Sequence, residues 1–195
     1  FLFLKKKKIN MKIIQIGANR GYDDLTNFIS KNQVNFAIFV EPNPFHIKDL
    51  KKCYPNYIIE NIAIKPNNED KSEVDFYYYE KDLPNFEIAS MSKEHVWKHY
   101  GQVELQKIIV PALTLEELFD KYEIKDLDWL LLDIEGFDAE IALNFNWDKY
   151  NIKKIDIEKL HLGDKTEEVI QLFLSKDYKE STPIDSHGYD ISFTK

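Results

Sequence analysis

Five apolar runs rich in β-branched residues alternate with helix-like segments along this chain. The runs read KIIQIG, FAIFVEP, YIIENIAI, DWLLLDIEG and KKIDIEKLHL. Near-continuous apolar strands are typical of a parallel sheet that is covered on both faces, and such strands are joined by right-handed crossovers. The alternation therefore predicts an α/β fold built on a mostly parallel sheet.

The segments between these runs carry signals for helix starts. The acidic pair in DDLTNFISK and the proline of PFHIKDLKKCY suit the first turns of helices over residues 23–31 and 44–54. Thr114 and Glu117 in TLEELF form a capping-box pattern, and Asp164 and Glu167 repeat it in DKTEEVIQLFLSK. These signals predict helices that cover the sheet.

Two stretches depart from the alternation. Residues 65–112 contain the strand-like SEVDFYYY and KIIVPAL around a polar stretch, and we interpret them as an insertion over the mouth of the sheet. The tail YKESTPIDSHGYDISFTK reads as two strands about the turn DSHG, which predicts a hairpin. We expect residues 11–195 to form a single domain and residues 1–10 to be a non-native or disordered leader.

Composition and charge exclude several classes of protein. The 195 residues, 44% of them hydrophobic, suffice for one packed domain. A formal net charge of -8 argues against general nucleic-acid binding, which needs a basic face. Cys53 is the only cysteine, so no intrachain disulfide can form and a cytoplasmic setting is expected. The apolar start FLFL is far shorter than the ~20 residues of a membrane span, and none is expected.

The turn in IIQIGANRGYDDL joins the first strand to the first helix. Gly17 and Gly21 allow its backbone to approach a ligand at the carboxyl end of the strand, where open α/β sheets bind ligands. The spacing G-x-x-x-G differs from the dinucleotide fingerprint, and acidic residues follow at once, which disfavours a phosphate. Arg20 is therefore expected to face solvent or to pair locally.

Glu41 ends the second apolar run, in VEPNP. An acidic side chain at this strand end is placed to accept both hydroxyls of a ribose. A ribose site without a phosphate cradle suits S-adenosylmethionine, which carries adenosine but no phosphate. The turn and Glu41 together therefore predict this cofactor.

The run DWLLLDIEG brings Asp133 and Glu135 to the same edge of the sheet. Two carboxylates at the end of a buried strand are candidates to hold the methionyl amine, to coordinate a cation, or to orient or deprotonate a substrate hydroxyl. We treat both as candidate catalytic residues.

Histidines supply one further candidate base. His161 follows the strand KKIDI together with Glu158, and we expect it near the rim of the crevice. His95 and His99 lie four residues apart, as in a metal-binding pair on a helix. No third ligand is evident near them in the sequence, so we interpret them as part of an exposed helix and predict no metal site.

Taken together, these motifs resemble the FkbM family of S-adenosylmethionine-dependent methyltransferases. The resemblance rests on IGANRG, VEPNP, NIAI, TLEEL and LLLDIEGFDAEI in this order, and on the closing KDYKE and YDISF. It extends from about Met11 to the C-terminus. It implies the class I methyltransferase fold, a Rossmann-like, doubly wound, mostly parallel seven-stranded sheet with an antiparallel last strand.

The resemblance also implies roles for individual residues. Asp133 is expected where the methionyl end of the cofactor meets the acceptor, and the segment around Ile62 is expected to face the adenine. The residues expected to contact the cofactor are Gly17, Ala18, Asn19, Gly21, Glu41, Pro42, Asn61, Ile62, Ala63 and Asp133. The family typically methylates hydroxyl oxygens, so the expected partner is a small-molecule or glycan acceptor.

Two other functions remain open from the sequence. The first is a methyltransferase-fold module that binds without catalysis, which the intact GANRG, Glu41 and Asp133 disfavour. The second is a nicotinamide-dependent oxidoreductase, which the missing G-x-G-x-x-G disfavours. The sequence does not indicate the oligomeric state.

Overall fold

Ten strands and six α-helices form two sheets and their covering layers within the described part of the chain. The structure is a computed structural model that describes residues 11–21, 23–82, 85–184 and 187–195. The strands are β1 (Met11–Ile16), β2 (Val34–Val40), β3 (Ile58–Glu60), β4 (Ala63–Ile64), β5 (Glu73–Tyr78), β6 (Gln106–Leu113), β7 (Asp126–Leu132), β8 (Asn151–Glu158), β9 (Lys179–Ser181) and β10 (Asp190–Thr194). The helices are α1 (Asp24–Lys31), α2 (Ile47–Cys53), α3 (Lys93–Tyr100), α4 (Leu115–Lys121), α5 (Asp138–Asn144) and α6 (Thr166–Ser175).

The main sheet has seven strands in the order β3, β2, β1, β7, β8, β10, β9. The strands from β3 to β8 pair in parallel, and β10 runs antiparallel to both of its neighbours. This arrangement confirms the predicted mostly parallel sheet with an antiparallel last strand. The pairing of β9 with β10 confirms the tail hairpin, although Asp185 and Ser186 of its DSHG turn lie outside the described residues.

Both faces of the sheet are buried, which explains the near-continuous apolar runs. Along β1, Ile14 packs into one core and Ile13 into the other, and Leu130 and Leu131 of β7 divide in the same way. The first core also contains side chains of α4, α5 and α6, and the second contains side chains of α1 and α2. The helices therefore cover the sheet from both sides.

A second sheet of three strands has the order β4, β6, β5. The run YIIENIAI, predicted as a single strand, supplies β3 to the main sheet and β4 to this second one. The segment 65–112 forms β5, α3 and most of β6, so its two strand-like stretches pair with each other. A third cluster of buried residues, including Phe76 and Phe86, lies between these elements.

The helix starts were predicted with mixed success. The capping box of Thr114 and Glu117 is present at α4, with both reciprocal hydrogen bonds. The start predicted at Pro44 is wrong, because a turn in which the Asn43 side chain accepts from the Phe45 amide precedes α2. The Asp164 cap is also wrong, since a 3₁₀ turn over Gly163–Lys165 comes first and α6 has no side-chain cap. Within the described ranges, no helix has the length and apolar character needed to cross a bilayer.

Candidate active site

One cavity of about 570 Å³, with the open solvent at its mouth included, opens at the carboxyl ends of β1, β2 and β7. Open α/β sheets bind ligands at this edge. The lining of the cavity includes residues predicted as parts of the site, namely Gly17, Asn19, Glu41, Pro42, Ala63, Asp133 and Glu135. The fold therefore brings together three motifs that are far apart in the sequence.

The turn after β1 passes directly against the end of β7. Gly17 has a φ of +78°, and a Cβ at this position would lie 1.7 Å from the carbonyl oxygen of Asp133. The amides of Gly17 and Ala18 donate hydrogen bonds to the carbonyl of Val40, at 2.9 and 3.0 Å. The sequence predicted that glycine admits a ligand here; the structure shows that packing between strands also requires it.

Glu41 is held by backbone amides in the wall of the cavity. Its side chain accepts hydrogen bonds from the amides of Asn19 and Asn43, each at 2.7 Å, and the residue is only 5% exposed. Burial raises the pKa of Glu41 to about 7, against the lowering effect of the two amides. Because a carboxylate has about four acceptor positions, Glu41 can still accept hydrogen bonds from a ligand.

Four residues predicted to contact the cofactor lie outside the described lining of this cavity. Ala18 and Ile62 pack in the core, and a Cβ at Gly21 would meet the ring of Tyr54 at 2.9 Å. The side-chain amide of Asn61 donates to the carbonyls of Glu41 and Pro42, at 2.8 and 3.0 Å. Asn61 therefore positions the loop that carries Glu41.

Arg20 pairs locally, as predicted. Its Nη2 and Nε donate to one carboxylate oxygen of Asp49, at 2.9 and 3.2 Å. Neither of the two cavities at this edge of the sheet has a lysine or an arginine among its described lining residues. The site is therefore poorly suited to a phosphate group.

Three carboxylates lie around the end of β7, those of Asp133, Glu135 and Asp138. Asp133 is open to the cavity, yet the crowding of protein atoms and the charges of Glu158 and Glu135 raise its pKa well above the usual range. Burial and the charge of Glu158 raise the pKa of Glu135 to about 8 and that of Asp138 to about 7. The Asp138 side chain also accepts from the Ile134 amide at 2.9 Å, which fixes the turn. Carboxylates with raised pKa values are suited to proton transfer near neutral pH.

The histidines of α3 meet His161 beside this turn. Nε2 of His95 lies 3.1 Å from a carboxylate oxygen of Glu135, and Nδ1 of His161 lies 3.3 Å from the same oxygen and 2.7 Å from Glu158. Burial lowers the pKa of His95 to about 4, while the hydrogen bond that His161 donates to Glu158 raises the pKa of His161. The interpretation of His95 and His99 as an exposed pair without a third ligand is wrong, because the fold brings His161 to them.

A second cavity, of about 1600 Å³ with the open solvent at its mouth included, shares Ile16, Asn19, Glu87 and Asp133 with the first. Most of its charged lining is acidic, and the carboxylates are Asp23, Asp24, Glu87, Asp133, Asp156, Glu158 and Asp190. The side chain of His161 is 4% exposed and lies behind Glu135 and Glu158, away from the rim where we expected it. Asp133 and Glu135 are therefore better placed than His161 to meet a substrate.

Sequence reasoning missed the apolar wall of the first cavity. Phe76, Phe86, Ala89 and Met91 line it, and all four belong to the segment 65–112. The only signal in the sequence was the apolar content of FEIASM within a polar stretch. The position of this segment against the cavity depends on contacts between distant parts of the chain, which no local pattern reports.

A match to a family model shows the family of this chain. A model of the methyltransferase FkbM domain matches residues 15–180. The chain belongs to the FkbM methyltransferase family. This result confirms the resemblance seen in the motifs and, with it, S-adenosylmethionine as the cofactor of the family. A search of curated proteins finds no matching sequence.

One solved structure shares the fold of this FkbM domain, and two others are similar to it at lower TM-scores. The FkbM methyltransferase from Methylobacillus flagellatus KT is 13% identical with a TM-score of 0.54, and the match covers 95% of this chain but only 44% of that one. The precorrin-6y C5,15-methyltransferase from Geobacter metallireducens GS-15 is 12% identical with a TM-score of 0.49, over 97% and 82% of the two chains. The M. capricolum TrmK bound to S-adenosyl-homocysteine is 14% identical with a TM-score of 0.47, over 98% and 65%. At 13% identity, the match to the Methylobacillus flagellatus protein shows the fold alone.

Proposed function

We propose that this chain transfers a methyl group from S-adenosylmethionine to a hydroxyl oxygen of a small acceptor, such as a sugar or a natural-product-like molecule. The observation that carries the proposal is that Glu41 and Asp133 lie in the same cavity. They follow the two strands that flank β1, and they line one cavity whose described lining has no lysine or arginine. The cavity offers a carboxylate that can accept hydrogen bonds from a ribose, and its described lining offers no cation for a phosphate. These properties fit adenosine attached to an uncharged or positively charged group.

The reaction needs an aligned acceptor and a group that takes its proton. S-adenosylmethionine supplies the methyl group: its carbon–sulfur bond breaks as the bond to the acceptor oxygen forms. In this proposal Glu41 holds the ribose, and Asp133 accepts the hydroxyl proton. The crowded carboxylates raise the pKa of Asp133 and of Glu135, which makes them stronger bases than a free carboxylate. His161 acts through Glu135 and Glu158, because it contacts both.

The charges around the site support a neutral acceptor. The larger cavity is lined by carboxylates and lacks lysine and arginine among its described residues, so it would repel a phosphorylated or carboxylated substrate. Carboxylates accept hydrogen bonds from several hydroxyls at once. A polyhydroxylated small molecule or a glycan end therefore suits the cavity.

The segment 65–112 is proposed to cover the mouth of the sheet. Its Phe76, Phe86 and Met91 contribute the apolar wall of the first cavity. Such a wall would exclude water from the transferring methyl group and would pack against an adenine ring. A cytoplasmic location and a single domain over residues 11–195 remain predictions from the sequence.

Replacing Asp133 with Asn tests the proposed chemistry. The amide keeps the shape but cannot accept the proton, so we expect methyl transfer to fall ~100-fold or more. Transfer is measured with labelled S-adenosylmethionine against a panel of sugars and polyhydroxylated compounds. Asp126→Asn, at the other end of β7, is the matched control and should keep full activity.

The same panel separates the alternative functions. An Asp133→Asn variant as active as the parent would contradict the assigned base. Binding of S-adenosyl-homocysteine without transfer to any acceptor would favour a non-catalytic module. Tight binding of NADH in its place would favour an oxidoreductase.

A further inference from the structure

We propose that His95, His99 and His161 form a binding site for a first-row transition metal ion of the Zn²⁺ type. One ring nitrogen from each histidine lies within 4.8 Å of one from each of the other two. The ligands come from two separate parts of the chain, α3 and the loop after β8. Only the folded protein assembles them, so the site has no local sequence signature.

The three rings lie close enough together to share one ion. Zn²⁺ binds nitrogen at ~2.0–2.1 Å, commonly with three protein ligands and one open position. The ring centroid of His99 lies 4.9 and 5.2 Å from those of His95 and His161. Glu135 orients two of the rings, because Nε2 of His95 and Nδ1 of His161 lie 3.1 and 3.3 Å from one of its carboxylate oxygens.

An unsatisfied buried nitrogen points independently to a ligand. Nε2 of His161 is buried and has no hydrogen-bond partner among the described residues, and the side chain is 4% exposed. Nδ1 of the same ring contacts Glu158 at 2.7 Å. A histidine that donates from one ring nitrogen to a carboxylate offers the lone pair of the other to a metal, as metal-bound histidines commonly do. A cation would satisfy the orphaned atom.

The surroundings hold the ligands in place. A Cβ at Gly136, where φ is +100°, would lie 2.6 Å from Nδ1 of His95, so this glycine makes room for the ring. The hydroxyl of Ser90 donates to the Glu135 carbonyl at 2.7 Å, and that of Ser92 accepts from the His95 amide at 3.1 Å. The two serines of ASMS therefore tie α3 to the turn that carries Glu135.

The donor set selects the class of metal. Imidazole nitrogens suit Zn²⁺, Co²⁺ and Ni²⁺, whereas Mg²⁺ and Ca²⁺ prefer oxygen ligands. Glu135 contacts two of these rings and also lines the cavity that contains Asp133, so the ion would lie beside the wall of that cavity. If the proposed methyl transfer holds, the ion would hold Glu135 and its turn in place next to the acceptor.

Binding of Zn²⁺ to the full chain, after treatment with a chelator and its removal, tests the site by calorimetry. We expect one Zn²⁺ per chain, no comparable binding of Mg²⁺, and visible absorption bands typical of four-coordinate Co²⁺ when Co²⁺ is added. His99→Ala alters an exposed side chain and should weaken Zn²⁺ binding at least tenfold. His187→Ala, which removes a histidine outside the cluster, should leave it unchanged.

The outcomes separate this proposal from the proposed function. Absence of Zn²⁺ binding, or equal affinity in the His99→Ala variant and the parent, would overturn the metal site. S-adenosyl-homocysteine is titrated into the same samples. If it binds where Zn²⁺ does not, the metal site alone fails; if Zn²⁺ binds and S-adenosyl-homocysteine does not, the proposed methyl transfer fails and the metal site stands.

Discussion

Gly17 lies between the candidate cofactor crevice and the end of β7, and its backbone leaves no space for a side chain. The same turn places the Asn19 amide on Glu41, so its conformation also holds the proposed ribose acceptor. The sequence indicated a glycine turn and an acidic strand end. It did not indicate that the two are joined by a hydrogen bond, because that contact depends on the parallel pairing of β1 with β2.

Gly17→Ala should destabilise the protein by about 3 kcal/mol or more, because it adds steric overlap to the cost of a positive φ. The added Cβ would lie 1.7 Å from the Asp133 carbonyl oxygen. Gly163→Ala is the matched control: φ there is +58° and nothing lies within 4 Å, so a loss of ~1 kcal/mol is expected. Urea unfolding measures both, and equal losses would contradict the packing argument.

At the scale of elements, α3 connects the segment 65–112 to the active-site turn. Ser92 caps this helix by accepting from the His95 amide. Ser92→Ala should lower the free energy of unfolding by about 1 kcal/mol, the usual value of an N-cap. Ser175→Ala, at the end of α6, should change it by less than ~0.5 kcal/mol. A Ser92→Ala variant as stable as the parent would show that the cap does not hold α3.

The elements differ in how far the sequence predicted them. The buried runs of β1, β2 and β7 and the capping box of α4 are local patterns, and they were predicted correctly. The start of α2 was not, because Asn43 engages the Phe45 amide before the helix can begin. The meeting of α3 with His161 was missed for another reason: it depends on where β8 ends relative to a helix from a distant part of the chain, which spacing along the sequence does not report.

At the scale of the whole molecule, buried carboxyl groups make stability depend on pH. The pKa of Glu41 is raised from 4.5 to about 7, so folding favours its neutral form. The stability that this preference contributes is fully present below pH 4.5 and is lost as the pH rises through 7. The pKa of Asp138 is also raised to about 7, so this residue likewise lowers stability as the pH rises. The pKa values of His46 and His95 are lowered to about 4. These two histidines lower stability in the opposite direction, as the pH falls below 6.5.

Between pH 6.5 and 8.5, the ligand-free protein should therefore lose stability as the pH rises. Glu41 accounts for roughly 1 kcal/mol of this loss, given a native pKa near 7. Glu41→Gln should reduce the loss by that amount, whereas Glu167→Gln on the exposed side of α6 should not. Urea unfolding at several pH values measures the difference. Parallel pH curves for Glu41→Gln and the parent would contradict the assignment.

The crevice formed by the turn after β1, Glu41 and Asp133 is the feature of the molecule that defines its proposed cofactor site. Calorimetric titration of S-adenosyl-homocysteine into the full chain tests it most directly, with NADH as the comparison ligand. We predict binding of S-adenosyl-homocysteine at a single site, no comparable binding of NADH, and a roughly 10- to 100-fold loss of affinity in Glu41→Ala through the lost hydrogen bonds to a charged acceptor. Absence of S-adenosyl-homocysteine binding, or unchanged affinity in Glu41→Ala, would contradict the central claim.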